Sequence, residues 1–255
     1  MSDFEVKITR DQSEVQEAQR LRFEVFNLEM KKGLESSYGL GLDADEFDSL
    51  CDHLIVRDLS TRRVVGTYRL LLGSEARRRF GFYAEREFDL QNIKRLDGEL
   101  LELGRSCAHR DYRDKPLIQF MWQAIANYVK THRVRYLFGC ASFYTTDPGE
   151  VSEFHAFLKT RHYAPEKLRV HPRPEHAFAK RVEEVEVNTN PSLFLRLPSL
   201  VKGYLRVGAL VCGPPAVDGA FGTTDFFLLL DISRMEREYL NRFGLSELEV
   251  RCAAR

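Results

Sequence analysis

Hydrophobic residues in this chain recur with two different spacings, and each spacing predicts one kind of element. Apolar and polar residues alternate in FEVKITR at 4–10, as is typical of a strand. In the next stretch the apolar residues fall three or four positions apart, at Val15, Ala18, Leu21, Val25 and Leu28. This second pattern predicts a helix, with Ser13 as its N-cap and Gly33 near its end.

The same two spacings assign most of the remaining chain. They predict five further strands, at 52–58, 62–73, 99–109, 134–143 and 225–233. They also predict three further helices, at 116–133, 150–163 and 198–209. Residues 74–98 are expected to form a helical or loop excursion. The order of elements predicts an α+β fold, an α/β sandwich with a mixed sheet, in one domain over 1–255 that includes the segment 198–235.

Composition narrows the classes of partner and compartment. The chain has 255 residues, of which 44% are hydrophobic and 30% charged, and its formal net charge is zero, so no overall field favours nucleic acid. Its five cysteines are odd in number and form no CxxC pair, which favours a reducing compartment. The N-terminus has no apolar signal-peptide core, and no run approaches the roughly 18 apolar residues of a membrane-spanning helix. A cytoplasmic location is therefore expected.

Glu102 and Arg105 are unusual because they lie in the otherwise apolar strand LLELGRSCA. In a regular strand, side chains three positions apart point to opposite faces. A bulge at Gly104 would turn both toward one cleft and would leave backbone N–H groups available to polarise a carbonyl. A buried Glu–Arg pair that only supports the sheet accounts for the same spacing, and the residues alone leave both readings open.

The turn HRDYRDKP follows this strand and precedes a predicted helix. Helix N-termini bind phosphate through backbone N–H groups, and Arg110, Arg113 and Lys115 would add positive charge. The turn lacks the glycine pattern usual in phosphate-binding loops. A solvated charged turn is the alternative.

The loop DADEFD has two carboxylates three positions apart, those of Asp45 and Asp48. They could capture a cationic substrate group or cap a turn. Arg69 lies in a strand that must bury at least one face, so it needs a carboxylate partner, and Asp45, Asp48 and Glu102 are the candidates. Arg22 and Phe26 are four positions apart on the first helix, where they would share one face.

Basic stretches at 77–80, 130–135 and 159–173 could dock an acidic carrier protein or could be solvated surface. The basic, amphipathic segment 197–211 suits peripheral membrane contact or packing onto the core. The histidines show no metal-ligand spacing, and no metal site is expected.

Four segments, LRFEVF, DADEFDSLCDHLIV, VVGTYRLL and LELGRSCAHRDYR, resemble in order and spacing the hallmark blocks of acyl-homoserine lactone synthases. By this resemblance the family's functional positions fall on Arg22, Phe26, Asp45, Asp48, Arg69, Glu102 and Arg105. The chain departs from the lactone synthases after the first helix, where it has EMKKG in place of a segment containing tryptophan.

The C-terminal block LPSLVKGYLRVGALVCGPPAVDGAFGTTDFFLLLDISRM resembles instead the sister family of ornithine-lipid N-acyltransferases, often labelled hemolysin-like, of the GNAT superfamily. The likeness covers roughly residues 5–235. It implies a GNAT-like acyltransferase fold with a mixed, centrally splayed sheet flanked by helices. It also implies transfer of a 3-hydroxyacyl group from acyl carrier protein to the α-amine of an amino acid, expected to be L-ornithine, which gives lyso-ornithine lipid.

The resemblance implies roles for individual residues. Glu102 would be the general base, favoured by a pKa that burial raises, and Arg69 and Arg105 would complete the catalytic group. Substrate binding would fall to the set Arg22, Phe26, Asp45 and Asp48, with the two aspartates receiving the cationic side chain of ornithine. The phosphopantetheine arm of the carrier would be held by Gly104, Ser106, Arg110, Arg113 and Lys115.

The expected donor is an acyl carrier protein thioester, with acyl-coenzyme A as the alternative, and no bound cofactor is expected. Acyl carrier protein, ornithine and the inner membrane surface are the predicted partners. Two other functions fit the same residues: a signal synthase like the lactone synthases, and a non-catalytic module that binds acyl carrier or membrane.

Overall fold

The structure is a computed structural model that describes residues 3–114, 116–178 and 190–245. The chain divides into two compact units. The first unit comprises Met1–Gly81, Glu99–Val134 and Leu240–Arg255, and the second comprises Phe82–Gly98 and Arg135–Tyr239. The organisation of 1–255 as one domain stays a prediction.

The described residues form short and long strands joined by helices. The strands are β1 (Phe4–Thr9), β2 (Asp52–Asp58), β3 (Val64–Leu72), β4 (Phe88–Asp89), β5 (Glu99–Ala108), β6 (Val134–Phe143), β7 (His171–Pro172), β8 (Leu210–Val211), β9 (Ala216–Asp218) and β10 (Thr223–Asp231). The α-helices are α1 (Gln12–Phe23), α2 (Gly73–Ala76), α3 (Gln91–Lys94), α4 (Leu117–His132), α5 (Pro148–Arg161), α6 (Ser192–Arg196), α7 (Ser199–Arg206) and α8 (Arg237–Phe243).

In the first unit, β1, β2, β3 and β5 form an antiparallel sheet in that order. One face carries Ile55 and Cys107, which pack against Ala18 and Leu21 of α1. The opposite face packs against α4. At Gly66 of β3 the contact is so close that an added Cβ would come within 3.2 Å of side chains of that helix. The sheet is therefore covered by a helix on each side, which confirms the predicted α/β sandwich.

The first helix begins and ends differently from its prediction. Its N-cap is Asp11, whose side chain accepts from the backbone N–H groups of Ser13 and Glu14, so the assignment of Ser13 as the cap was wrong. After Phe23 the chain continues as a π-helix over Glu24–Glu29. The wider turn rotates the apolar stripe, and Leu28 is 55% exposed instead of buried.

The second unit is built around β10, which pairs antiparallel with β6, β8 and β9. Its core combines α5, α6 and α7 with β6, β8 and β10, and Val201 and Leu205 of α7 pack there with Phe226 and Leu228 of β10. The apolar side of the segment 197–211 is thus used for core packing. An isolated parallel bridge between Tyr163 and Val211 makes the pairing mixed.

The predicted α+β class and each long strand and helix are confirmed, apart from shifts of a few residues at their ends. The short strands β4, β7, β8 and β9 were not predicted. Nowhere in the described ranges is there a helix whose length and apolar character would let it cross a bilayer.

Candidate active site

Six charged side chains of the first unit meet in a buried group that we call the arginine–aspartate cluster. Its members are Arg22, Asp43, Asp45, Asp48, Arg69 and Arg105. None of the six side chains is more than 9% exposed. Buried charges are costly unless they are paired, so the three guanidinium groups and three carboxylates stabilise one another.

Arg22 reaches into this cluster from α1 and is fully buried. Its Nε donates to Asp43 Oδ1 at 2.8 Å, and Nη1 and Nη2 donate to the two carboxylate oxygens of Asp48, both at 2.8 Å. Nη2 also donates to the backbone carbonyl of Asp43. With all three nitrogens engaged, Arg22 ties α1 to the acidic loop, and it could contact a substrate only if these pairs broke.

Asp45 and Asp48 both cap a turn and pair with arginines. Asp45 Oδ1 accepts from the backbone N–H of Phe47 at 2.9 Å and from Arg69 Nη1 at 2.6 Å. Asp48 Oδ2 accepts in return from the backbone N–H of Asp45 at 3.1 Å, which completes a capping box around a 3₁₀ turn at Glu46–Ser49. The turn-capping alternative is therefore present in the structure.

The ion pairs fix the charge states of the group. Burial by itself would raise the pKa of Asp48, but the Arg22 and Arg69 guanidinium groups hold that pKa far below its usual value. Burial also opposes ionisation of Asp45, and Arg69 and Arg105 lower its pKa. The pKa of Arg69 lies above its ordinary value because the aspartates outweigh the effect of burial.

The strand β5 is bulged, one position later than predicted. Gly104 lies opposite Arg69 and Cys107 lies opposite Thr67, so Arg105 and Ser106 together oppose a single residue of β3. The residue in the left-handed region is Arg105, with φ of 48°, and not Gly104. The bulge delivers the Arg105 guanidinium to the cluster, where Nη2 donates to Asp45 Oδ2 at 3.3 Å and Nε is 3.5 Å from Asp43 Oδ1.

Glu102 lies on the cluster's side of the sheet. Leu71 is its partner on β3, two residues from Arg69, and residues that are directly opposite or two apart share a face. Glu102 is only 5% exposed. A Cβ built on Gly104, on the same face, would meet no atom within 4 Å, so there is open space beside the buried carboxylate and Arg69.

Three further residues of this face were not predicted. Asp43 is fully buried and its carboxylate accepts a hydrogen bond from Arg22. The run of acidic residues in its loop was the sequence feature that could have identified it. His53, opposite Arg69, has Nε2 3.0 Å from the backbone carbonyl of Asp48, and burial lowers its pKa. Burial raises the pKa of the Cys51 thiol to about 12, with Glu102 contributing, so this thiol stays protonated.

The turn after β5 is more fully paired than the phosphate-binding prediction requires. Arg113 donates to both carboxylate oxygens of Glu29, at 2.7 and 3.0 Å, and also to the carbonyl of Ala108. Arg110 is 62% exposed and lies 3.8 Å from Glu29. Lys115 lies outside the described residues. Tyr112 donates to Asp58 Oδ2 at 2.7 Å. Among the described cations of this turn, Arg110 has the loosest pairing.

Two further predictions concern Phe26 and metal binding. Phe26 packs half-buried against the core beside α1. In the second unit Glu87, Cys140 and Asp225 place their ligand atoms within 4.8 Å of one another. Such groups also occur without metal, and the predicted absence of a metal site stays a prediction.

Comparison with known proteins agrees with the fold. A family model described as an acetyltransferase (GNAT) domain matches residues 21–123. A solved CoA-dependent acyl-homoserine lactone synthase, MesI, superposes with a TM-score of 0.52 at 10% identity, over 95% of this chain and 94% of that one. The sandwich, the bulged strand and these matches define a GNAT-like fold.

Curated relatives narrow the family further. The chain is 36% identical over 252 residues to the L-ornithine N(alpha)-acyltransferase of Brucella abortus, covering 96% of this chain and 90% of the relative. It is 38% identical over 253 residues to the enzyme of the same name from Rhodobacter capsulatus, covering 94% and 95%. The chain belongs to the family of L-ornithine N(alpha)-acyltransferases.

Proposed function

We propose that this acyltransferase moves a 3-hydroxyacyl chain from the phosphopantetheine thioester of acyl carrier protein to the α-amine of L-ornithine, giving lyso-ornithine lipid. The observation that carries the proposal is the position of Glu102. It is a buried carboxylate on the same face as Arg69, beside the open space over Gly104. The names of the curated relatives support ornithine as the acceptor.

Glu102 acts as the general base in this proposal. The α-ammonium of ornithine gives one proton to the carboxylate, directly or through a water, and the amine then attacks the thioester carbonyl. A second proton leaves the nitrogen of the tetrahedral intermediate as the amide forms and departs with the thiol. Arg69 does not receive a proton; with Asp45 and Asp48 it keeps the loop and the sheet face in place.

The β5 bulge supplies the electrostatic part of the mechanism. Backbone N–H groups at 104–106 would donate to the oxyanion of the tetrahedral intermediate, which is worth about 2.7–4 kcal/mol per donor in other enzymes. Ser106 is half-buried in the bulge and is the candidate to protonate the leaving thiolate. Tyr112 is poorly suited to that task because its hydroxyl donates to Asp58.

Arg105 is the proposed ligand of the ornithine carboxylate. Its contacts to the aspartates, 3.3 and 3.5 Å, are longer than those of Arg22, and it is the most exposed of the three arginines. If it turns to a substrate carboxylate, Asp45 Oδ2 loses that contact and can receive the cationic side chain. Asp48 is too fully bonded for this role, so we assign it, with Arg22, to positioning. Phe26 would only shape the wall of the site.

The carrier arm is proposed to lie along Gly104 and Ser106, with Arg110 near its phosphate. Arg113 is less suited, because Glu29 already pairs with it. Coenzyme A thioester remains the alternative donor.

The product is an amphiphile that must reach a bilayer, which supports the proposed peripheral contact with the inner membrane. Of the alternatives, the non-catalytic module is excluded by family membership, and no observation favours the lactone synthase.

The test is an assay of purified protein with 3-hydroxyacyl carrier protein and a panel of amino acids, with products identified by mass spectrometry. N-acylornithine is the expected product. Glu102→Gln should lower kcat by about 10²–10⁴ and leave the rate rising with pH, because the free amine must then form without a base. Glu99→Gln, in the same strand, is the control. A fully active Glu102→Gln variant would refute the assignment of the base.

A further inference from the structure

The turn after α2 displays three arginines and a phenylalanine on the surface of the first unit. We call residues 77–80, which are all exposed, the arginine turn. Its backbone is fixed by hydrogen bonds from the N–H groups of Arg77 to Gly73 at 3.0 Å and of Arg79 to Ala76 at 3.2 Å. The side chains are therefore presented from an ordered backbone.

The positive charges of the arginine turn are weakly neutralised. Arg78 pairs with Glu75 at 3.1 Å and Arg77 with Glu99 at 3.8 Å, but these two arginine side chains are 73% and 55% exposed. Exposed pairs of this kind contribute little and exchange readily. For Arg79 the described part of the chain provides no ion-pair partner. Carboxylates of another molecule could therefore take over these guanidinium groups.

Phe80 connects the arginine turn to the arginine–aspartate cluster. Its ring is 55% exposed and meets the ring of Phe47 edge-to-face, with centroids 5.3 Å apart. Phe47 is buried between Asp45 and Asp48 in sequence, and the Arg69 guanidinium lies 5.7 Å from its ring centroid. A molecule that covers Phe80 is thus separated from the cluster by one aromatic ring.

We infer that the arginine turn is the docking surface for the acidic carrier protein that brings the acyl thioester; this rests on the proposed function. Arginine and aromatic side chains are the residues most enriched in the energetic centres of protein interfaces. A membrane surface fits less well, because Phe80 is the single large exposed apolar side chain of a tight turn, whereas membrane-surface helices present a long apolar face.

The experiment compares two triple charge reversals. One variant combines Arg77→Glu, Arg78→Glu and Arg79→Glu, and the matched control combines Lys130→Glu, Arg161→Glu and Lys167→Glu, all at exposed positions. Each is assayed with acyl carrier protein and with neutral acyl-pantetheine as donor. The turn variant should raise KM for the carrier at least about tenfold and abolish its salt dependence, while KM for acyl-pantetheine stays unchanged. The control should match the unsubstituted protein with both donors.

A second variant, Phe80→Ser, should weaken carrier binding without changing its salt dependence. Direct titration of carrier protein reports docking whether or not acyl transfer occurs, so failure of the proposed function, seen as no N-acylornithine from either donor, is a separate result. The docking inference is overturned if the turn variant binds carrier normally, or if it loses activity equally with both donors. It is also overturned if the variant loses only its binding to phosphatidylglycerol vesicles, which would make the turn a membrane contact.

Discussion

The Asp48 carboxylate joins more parts of the first unit than any other single group of the site. It accepts from Arg22 on α1, from Arg69 on β3 and from Gln19 Nε2 at 2.9 Å, and it also accepts from the backbone of its own loop. A group with so many donors is favoured in its ionised form. Its contribution to folding therefore depends on pH.

We expect Asp48→Asn to destabilise the protein by about 3–5 kcal/mol at pH 7, because a buried arginine loses its partner. The folded-state pKa of Asp48 lies below its unfolded value of about 3.9, so its contribution is complete above about pH 4 and is lost as the pH falls toward the folded-state value. Unfolding free energies of both proteins are measured by denaturant titration from pH 7 down to pH 3, and the difference between them should begin to shrink below about pH 4.

The control for this comparison is Asp97→Asn, at an exposed position. It should leave the free energy of unfolding within about 0.5 kcal/mol at every pH. A constant difference between Asp48→Asn and the unsubstituted protein down to pH 3 would contradict the assignment of Asp48 as an ionised structural carboxylate.

Arg105 combines a strained backbone with a loosely paired side chain. A non-glycine residue in the left-handed region costs of order 1–3 kcal/mol, and this strain is often found at functional sites. If Arg105 holds the substrate carboxylate, Arg105→Ala should raise KM for ornithine by about 10-fold or more, the cost of a lost charge-assisted hydrogen bond. KM for ornithine methyl ester, which lacks the carboxylate, should change little.

Steady-state kinetics with the two acceptors tests this prediction, and Arg20→Ala, at an exposed position of α1, serves as its control. Equal effects of Arg105→Ala on ornithine and on its ester would show that the side chain does not bind the carboxylate.

At the scale of elements, β5 shows how much of the local backbone structure the sequence can predict. The polar pair Glu102 and Arg105 in an apolar strand, three positions apart, is compatible with a bulge or with a buried ion pair in a regular strand, and the family resemblance favoured the bulge. The pattern could not identify the residue in the left-handed region, because Gly104 is the usual candidate and only tertiary pairing with Asp43 and Asp45 explains why Arg105 adopts it. Gly104 instead leaves space on the face of Glu102.

This difference predicts the effect of a methyl group at position 104. Gly104→Ala should fold normally, since the new Cβ meets nothing within 4 Å, yet lower kcat/KM by about 10-fold or more because the methyl group enters the space beside Glu102. Gly203→Ala is the matched control, because its Cβ also meets nothing within 4 Å but lies in α7. It should keep full activity and gain about 0.5–1 kcal/mol in stability.

Thermal unfolding and kinetics of the two alanine variants provide the measurement. Full activity of Gly104→Ala would show that the reacting groups do not occupy the space beside Glu102. An unfolded variant would show that the backbone conformation at position 104 requires glycine.

The π-helix after α1 and the short strands mark the limits of prediction for elements. Hydrophobic spacing continues through Leu28, so nothing in the pattern signals the wider turn at Glu24–Glu29. Strands of two or three residues, such as β8 and β9, are too short to show alternation. Their existence depends on long-range pairing with β10.

For the whole molecule, the cysteines give a test of burial in both units. Cys51, Cys107 and Cys212 are buried, and burial raises the pKa of each thiol to about 12, whereas Cys140 is half-exposed. In a Cys252→Ser background, a thiol reagent at pH 8 should label Cys140 first and the other three only on unfolding. Peptide mapping by mass spectrometry reports each site. Labelling of Cys51 as fast as Cys140 in native protein would contradict the packing around the cluster.

The predicted site and the structure overlap because the four motif blocks carry most of the charged residues of one sheet face. The structure places Arg22, Asp45, Asp48, Arg69 and Arg105 together, and it adds Asp43. That aspartate and His53 were missed because their role depends on buried partners from other elements, which spacing along the chain does not reveal. The roles of Arg113 and Asp48 changed for the same reason: their hydrogen-bond partners are distant in sequence.

The capping box around Glu46–Ser49 has a consequence for protein engineering. Because the aspartates that pair with the arginines also close this turn, exchanging Asp45 or Asp48 to accept a new amine would disturb folding before it altered selectivity. Libraries aimed at other amino acids are better directed to side chains that line the site without closing this turn. The acidic loop should be kept constant as the scaffold of any redesigned enzyme.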